Sequence, residues 1–366
     1  MTIAFARGAP APECLPVEEL ADCARSAIEQ DGVAILSYGA GGGYGPLREW
    51  IAQRHGVEPG RVLLTNGSLQ GFVFLAQHLV GVGRRVLVEG PTYDRPLLIL
   101  ARLGAEIVPL PMDDEGLDPD GLARALAVGE KPALLYTIPT FQNPSGRTLS
   151  TERRHRIAEL AAEHELLVLE DDPYGLVRFE GEAPPTLFEL EGGVNVAYSS
   201  SFSKTVAPGV RVGYFVLPAD LAAALEAVAV STYISPPFLS EAAVFEFIRR
   251  GSFEPNLERV RGLLGARRDA MLAALEREFP ADARWSRPEG GYFLWLDLPG
   301  GVDAGELLVR ATAAGVTFVK GADFFPGTGG ESSVRLAYSF ASIDEIGEGI
   351  ATLAGLLTAA PSPSRA

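Results

Sequence analysis

The stretch Leu166-Leu167-Val168-Leu169-Glu170-Asp171-Asp172-Pro173-Tyr174 decides the fold. Its consecutive apolar residues, without polar alternation, read as a strand buried on both faces, and the acidic pair before Pro173 reads as its end. Further runs of the same character lie at Arg61–Thr65, Arg85–Glu89, Glu106–Leu110, Ala133–Ile138, Val194–Ser199 and Arg211–Leu217. Between several of them come amphipathic stretches of helical length, at Ser68–Val80, Asp118–Ala127 and Thr151–His164. Doubly buried strands alternating with helices predict an α/β fold, with a mainly parallel seven-stranded sheet between helices. Such sheets hold ligands at the carboxyl ends of their strands, so chemistry is expected in the loops that follow these runs.

After Ser231 the rhythm changes. Pro236-Pro237 breaks the chain, and a long helical stretch follows from Glu254 to Phe279. A strand at Tyr292–Leu298, a helix at Ala304–Ala314, strands at Val316–Val319 and Ser333–Phe340 and a helix at Ile343–Leu357 complete the pattern. This predicts a large domain over 47–235 and a smaller α+β domain over 236–358. Residues 1–46, rich in Gly and Pro, read as an arm with little regular structure, packing on the small domain or on a partner. Residues 359–366 read as a frayed tail.

Composition narrows the classes of function. Lys and Arg number 31 against 47 Asp and Glu, a net charge of −16 over 366 residues. That field repels phosphate backbones, so neither nucleic acid nor an anionic membrane is expected as a partner. Two cysteines, Cys14 and Cys23, cannot build a disulfide framework, and the N-terminus lacks a secretory pattern, so a cytoplasmic location is expected. The longest apolar runs, such as Phe72–Val82, are interrupted well short of a bilayer span. No His-Glu-x-x-His and no P-loop occur, and His55, His78, His155 and His164 have no zinc spacing, so no metal site is expected. Asn66–Gly71 fails the nucleophile-elbow pattern at its first position, and Gly39–Gly45 misses the dinucleotide fingerprint at its last.

Three segments do stand at predicted strand ends. Thr140-Phe141-Gln142-Asn143-Pro144-Ser145-Gly146 follows one strand and Glu170-Asp171-Asp172-Pro173-Tyr174 follows the next. Ser199-Ser200-Ser201-Phe202-Ser203-Lys204 follows a third, with Arg211 seven residues on. Lys204 ends a Ser-rich, low-charge loop after a buried strand, unlike Lys131 before a proline or Lys320 before a glycine. A lysine kept partly desolvated suits imine formation and proton transfer. Asp171 and Asp172 are both placed to hold a protonated ring nitrogen, with a turn role as the plain alternative for either. Gly67-Ser68, between a strand and a helix, aims backbone N–H groups at an anion, though Ser68 also reads as a helix cap.

In this order the motifs resemble the fold-type-I aminotransferases that use pyridoxal 5'-phosphate. The likeness is greatest to the α-aminoadipate, kynurenine and aromatic amino acid branch, which also shares the Arg287-Pro-Glu-Gly-Gly-Tyr-Phe-Leu-Trp295 segment. It covers nearly the whole chain. The resemblance implies Lys204 as the lysine that carries the cofactor as an aldimine, and Asp171 rather than Asp172 as the partner of the ring nitrogen. Asn143 and Tyr174 are implied at the phenolic oxygen, Asn143 also on the substrate side, and Tyr93 on the ring face. Ser68, Ser201, Ser203 and Arg211 are implied at the phosphate. Leu69 stands where the branch commonly has Gln, so only its backbone amide is available there. Arg335, on a predicted small-domain strand, is implied as the anchor of the substrate α-carboxylate. Tyr38 resembles a tyrosine that reaches the neighbouring subunit's phosphate or substrate, which implies a homodimer. Arg7 and Gly8 lie where the family's N-terminal arm enters the site, and Gly8 is taken as a substrate-side residue.

The expected reaction transfers the amino group of an aromatic, branched or aminoadipate-like amino acid to a 2-oxo acid, with 2-oxoglutarate the implied acceptor. The same site could instead run elimination, replacement or oxidation, because the cofactor supplies the carbanion chemistry. A third reading is a sensor, since this fold also occurs behind a DNA-binding domain in one regulator family. The aminotransferase-like pattern begins here near Ile3, which with the acidic charge argues against that reading.

Overall fold

The computed structural model describes residues 2–358. The tail expected to fray, 359–366, lies outside the described residues. The main sheet is ordered Val62–Thr65, Gly213–Val216, Val196–Ser201, Val168–Asp171, Leu134–Thr137, Arg85–Gly90, Glu106–Asp113 and Gly116–Leu117. The five strands from Val196–Ser201 to Glu106–Asp113 run parallel, and Gly213–Val216 is antiparallel to both of its neighbours. The seven expected strands are all present. The eighth, Gly116–Leu117, closes a short hairpin on the edge strand and is too brief to leave a pattern in the sequence.

Four of these strands, at Val62–Thr65, Leu134–Thr137, Val196–Ser201 and Gly213–Val216, are buried at every position, as expected of strands covered on both faces. Helices Ser68–Leu79 and Thr151–Glu163 follow the expected positions within a residue. All the loops singled out in the sequence emerge at one edge of the sheet, at the carboxyl ends of the parallel strands.

A second, antiparallel sheet is ordered Arg284–Trp285, Phe293–Asp297, Ser333–Ala337 and Val319–Lys320. The strand expected at Val316–Val319 is divided. Val316–Thr317 pairs with Ile3–Ala4 at the start of the chain, and Val319–Lys320 pairs with Ser333–Ala337. The long helix Phe253–Glu278 joins both layers: Leu257 and Leu264 enter the core of the main sheet, whereas Met271 and Leu275 enter that of the second.

The N-terminal segment corrects the expectation of little regular structure. Val17–Ile35 is helical and packs Ala27 and Ile35 with Ala242 of helix Phe238–Arg249. Around it stand the short strand Ile3–Ala4, a 3-10 turn at Pro12–Cys14 and, from Gly45, the start of helix Gly45–His55. Ahead of this helix, Phe5 is fully buried, its carbonyl accepting from Ala337 N at 2.8 Å, so the first residues are laid along the second sheet. No helix among the described residues is long and apolar enough to cross a membrane.

Candidate active site

A cleft of ≈ 570 Å³ opens at the carboxyl edge of the main sheet, closed from above by the second sheet and the N-terminal segment. Ser68, Leu69, Tyr93, Asn143, Asp171, Tyr174, Ser201, Ser203, Lys204, Arg211, Arg335 and Gly8 all line it. Residues as far apart as 8 and 335 therefore converge. Tyr38 does not: it is 84% exposed and reaches no part of the cleft in its own chain.

Lys204 follows strand Val196–Ser201, and its Nζ donates to the Gly8 carbonyl at 2.8 Å. It lies over the Tyr292 ring at 4.9 Å and the Tyr174 ring at 5.7 Å. Burial, with the charges of Arg335 and Arg211, lowers its pKa to about 8. The other two lysines are surface groups, Lys131 paired with Glu165 and Lys320 with Asp323. Lys204 is thus the lysine whose buried amine faces the cleft, with its neutral form favoured by burial. Gly8 can approach because it has no side chain; a Cβ there would meet the Phe293 ring at 2.5 Å.

The two aspartates have separate lives. Asp172 is fully engaged, accepting from Tyr198 Oη at 2.9 Å and Gly175 N at 2.8 Å, and it does not line the cleft. Asp171 accepts from Tyr136 Oη at 2.7 Å through Oδ2, and its buried Oδ1 has no partner. Burial pushes the Asp171 carboxyl up to about 6. Tyr136 was not singled out in the sequence.

At the far end, Gly67 turns the chain at φ 83° into helix Ser68–Leu79, whose first N–H groups carry no intrahelical partner. Arg211 lies against this turn, its Nη2 donating to the Asn66 carbonyl at 2.9 Å. A Cβ on Gly67 would stand 2.2 Å from that nitrogen. Gly213 keeps the strand beside it equally open, since a Cβ there would meet Ser68 N at 2.3 Å. Ser201 Oγ and Ser203 Oγ lie 2.9 Å apart. Hydroxyls, amides and a guanidinium around a cradle of glycine backbone suit a phosphate.

Arg335 is 7% exposed on strand Ser333–Ala337. Its Nη1 donates to Asn143 Oδ1 at 2.9 Å and its Nη2 to the Ala6 carbonyl at 3.0 Å, while its buried Nε has no partner. The guanidinium sits over Phe293 at 4.2 Å and Phe324 at 5.0 Å, and burial lowers its pKa. Tyr174 packs on Tyr292 and Phe293, with ring centroids 5.5 and 5.8 Å away.

The orphaned Asp171 oxygen, the lone buried amine and the glycine-backed polar end together fit pyridoxal 5'-phosphate in ring, aldehyde and phosphate. The fold and this donor set define the class of fold-type-I pyridoxal-phosphate enzymes. Comparisons narrow it. The family model for aminotransferase class I and II matches residues 11–345. A 2-aminoadipate transaminase of Thermus thermophilus is 37% identical over 96% of this chain and 89% of the relative. Aromatic-amino-acid aminotransferase 1 of Thermococcus litoralis is 35% identical over 96% of this chain and 87% of the relative. The crystal structure of the Thermus thermophilus alpha-aminoadipate aminotransferase LysN, complexed with N-(5'-phosphopyridoxyl)-L-leucine, matches with TM-score 0.93 and 37% identity, covering 97% of this chain and 92% of that one. The chain belongs to the class I and II aminotransferase family. It is an enzyme that uses pyridoxal 5'-phosphate and acts on small amino and oxo acids.

Proposed function

We propose that the enzyme moves the amino group of an aromatic, branched or aminoadipate-like L-amino acid to a 2-oxo acid, with 2-oxoglutarate as acceptor. The observation that carries this reading is the convergence of Lys204 and Arg335 on one cleft, each buried and each short of a full set of partners. Phe293, Phe324 and Val319 line the same cleft and support an apolar side chain on the donor.

The bound cofactor supplies an electron sink for the negative charge left when the substrate Cα loses its proton. Asp171, through Oδ1, would hold the ring nitrogen protonated, since a carboxylate beside a cation favours the charged form. Tyr93 would cover the ring face. Asn143 and Tyr174 would donate to the phenolic oxygen. Ser68, the Leu69 amide, Ser201, Ser203 and Arg211 would hold the phosphate. Arg335 has a free Nε edge with which to grip the substrate α-carboxylate. Lys204, released from the Gly8 carbonyl, would take the Cα proton and deliver it to the cofactor's C4′ carbon. Gly8 and the rings of Tyr174, Tyr292 and Phe293 keep that amine out of water.

A homodimer completes the reading. Val33, Leu36, Tyr38 and Ile234 are exposed apolar groups, which supports a second copy of the chain covering them. Tyr38 would then serve the partner's site. Residues 47–235 and 236–358 would act as the cofactor and substrate-anchoring domains, with the arm 1–46 packed across them. We place the reaction in the cytoplasm, where the buried thiols of Cys14 and Cys23 stay reduced.

Replacing Lys204 by Ala tests the reading. Turnover is expected to disappear while the cofactor still binds, noncovalently and without the visible band of the wild type. Full activity in Lys204→Ala would overturn it.

A further inference from the structure

A buried chain of hydrogen bonds runs beneath the cleft. Glu89, near the end of strand Arg85–Gly90, is 1% exposed and meets no cation. Its carboxylate accepts from Thr137 Oγ1 at 2.6 Å, from Ile138 N at 3.2 Å and from Gln142 Nε2 at 2.9 Å. Gln142 also donates to the Pro91 carbonyl at 2.8 Å, and its Oε1 accepts from Ser145 N at 2.9 Å. Both N–H bonds and the oxygen of this amide are therefore occupied, and exchanging its ends would set donor against donor at Ser145. The side-chain orientation of Gln142 is determined by its neighbours.

The next residue is Asn143, whose Oδ1 accepts from Arg335 Nη1 at 2.9 Å. With that oxygen committed, Nδ2 is the Asn143 atom left to donate. The Pro91 carbonyl held by Gln142 belongs to the turn that ends in Tyr93. One amide thus ties the Tyr93 turn to the Asn143 loop, and one carboxyl holds the amide. A buried carboxyl without a cation is costly, and an apolar residue of similar size would fill the same space more cheaply.

We infer that Glu89 is a positioning residue: acting through Gln142, it orients Asn143 and with it Arg335, so that the substrate anchor and the Tyr93 turn stay in register. The inference rests on the roles of Asn143 and Arg335 proposed above. Glu89 needs only to accept from Gln142, not to carry charge. Burial pushes its carboxyl up to about 7, and an amide in its place can turn its NH2 toward the Thr137 hydroxyl, which can also accept.

The experiment is a double-mutant cycle in the holoenzyme. It reads KM and kcat for the amino acid together with the pH midpoint of the cofactor's visible band, which a donor at the phenolic oxygen tunes. Gln142→Glu brings two acceptors together and is expected to lower kcat/KM about tenfold, with KM rising and the band midpoint moving as in Asn143→Ala. Glu89→Gln, the conservative variant, is expected to stay within about twofold. The double variant Glu89→Gln/Gln142→Glu is expected to recover part of the loss, because the new amide then donates to the new carboxylate while the Pro91 carbonyl stays without its donor. A double variant no better than Gln142→Glu alone overturns the inference, as does a Gln142→Glu variant that loses stability with KM and band unchanged. Silence of Asn143→Ala and Arg335→Ala in the same assays would strike the underlying reading instead, and the inference with it.

Discussion

Tyr136 Oη donates to Asp171 Oδ2 at 2.7 Å, leaving Oδ1 of the same carboxyl buried and unpartnered. The tyrosine holds the aspartate to one rotamer and favours its charged form against the cost of burial. The carboxylate exists above its pKa and is lost as pH falls through it. Cofactor uptake by the apoenzyme should therefore weaken as pH drops through about 6. Tyr136→Phe should move that midpoint up by about one unit, the worth of one hydrogen bond to a charged group. Cofactor affinity titrated against pH measures it; an unmoved midpoint contradicts the pairing.

Arg335 offers a planar fork that a lysine lacks. Arg335→Lys keeps the charge, loses the contact with either Asn143 or Ala6, and should lower kcat/KM for the amino acid by about 2–5 kcal/mol, mostly through KM. The visible band at saturating cofactor should remain. Steady-state kinetics beside an absorbance titration separates the two effects, and unchanged KM would remove Arg335 as the anchor.

Gly67 has a backbone conformation that other residues adopt only under strain, and it faces Arg211 with no room for a methyl group. Gly67→Ala should cost about 1–3 kcal/mol of stability and displace Arg211. Cofactor affinity should fall at least about tenfold, the consequence of about 1.4 kcal/mol lost at the phosphate end. Equilibrium dialysis and thermal melts of the apoenzyme check both. Wild-type affinity in a stable Gly67→Ala protein would mean that the phosphate lies elsewhere.

Glu241, 1% exposed on helix Phe238–Arg249, accepts from Tyr44 N at 2.8 Å and leaves Oε1 without a partner. Burial pushes its carboxyl from 4.5 up to about 8. The folded chain then binds a proton that the unfolded chain releases, so this group costs stability as pH rises from about 4.5 to 8. Glu241→Gln should raise the melting temperature over wild type by an amount that grows between about pH 5 and pH 8. A difference that is flat with pH would show that Glu241 is already charged in the folded state over that range, as it is in the unfolded chain.

The sheet is legible in the sequence because doubly buried strands leave mainly apolar runs, and the loops after them carry Asn143, Asp171 and Lys204. Tyr136 is not legible. In Leu134-Leu135-Tyr136-Thr137 it reads as one more core residue, and it is the parallel register with Val168–Asp171 that brings its hydroxyl to Asp171. Neither is the contact of Lys204 with Gly8, across 196 residues, since no local pattern encodes it. Helix Val17–Ile35 hides for a compositional reason: Gly and Pro crowd residues 8–16 and 39–46, and averaging over the whole segment dilutes the helical spacing of Val17, Leu20, Ala24 and Ala27. The choice between Asp171 and Asp172 follows from strand geometry, since neighbouring residues at a strand end point to opposite faces.

The half-reaction tests the central claim most directly. The purified holoenzyme, given single amino acids and no 2-oxo acid, is followed by its visible spectrum and by the oxo acid released. The account predicts that the wild-type band converts to the pyridoxamine form with one equivalent of oxo acid, fastest for donors with aromatic, branched or aminoadipate-like side chains. A band that persists with every amino acid, or that changes with release of ammonia in place of oxo acid, would contradict it.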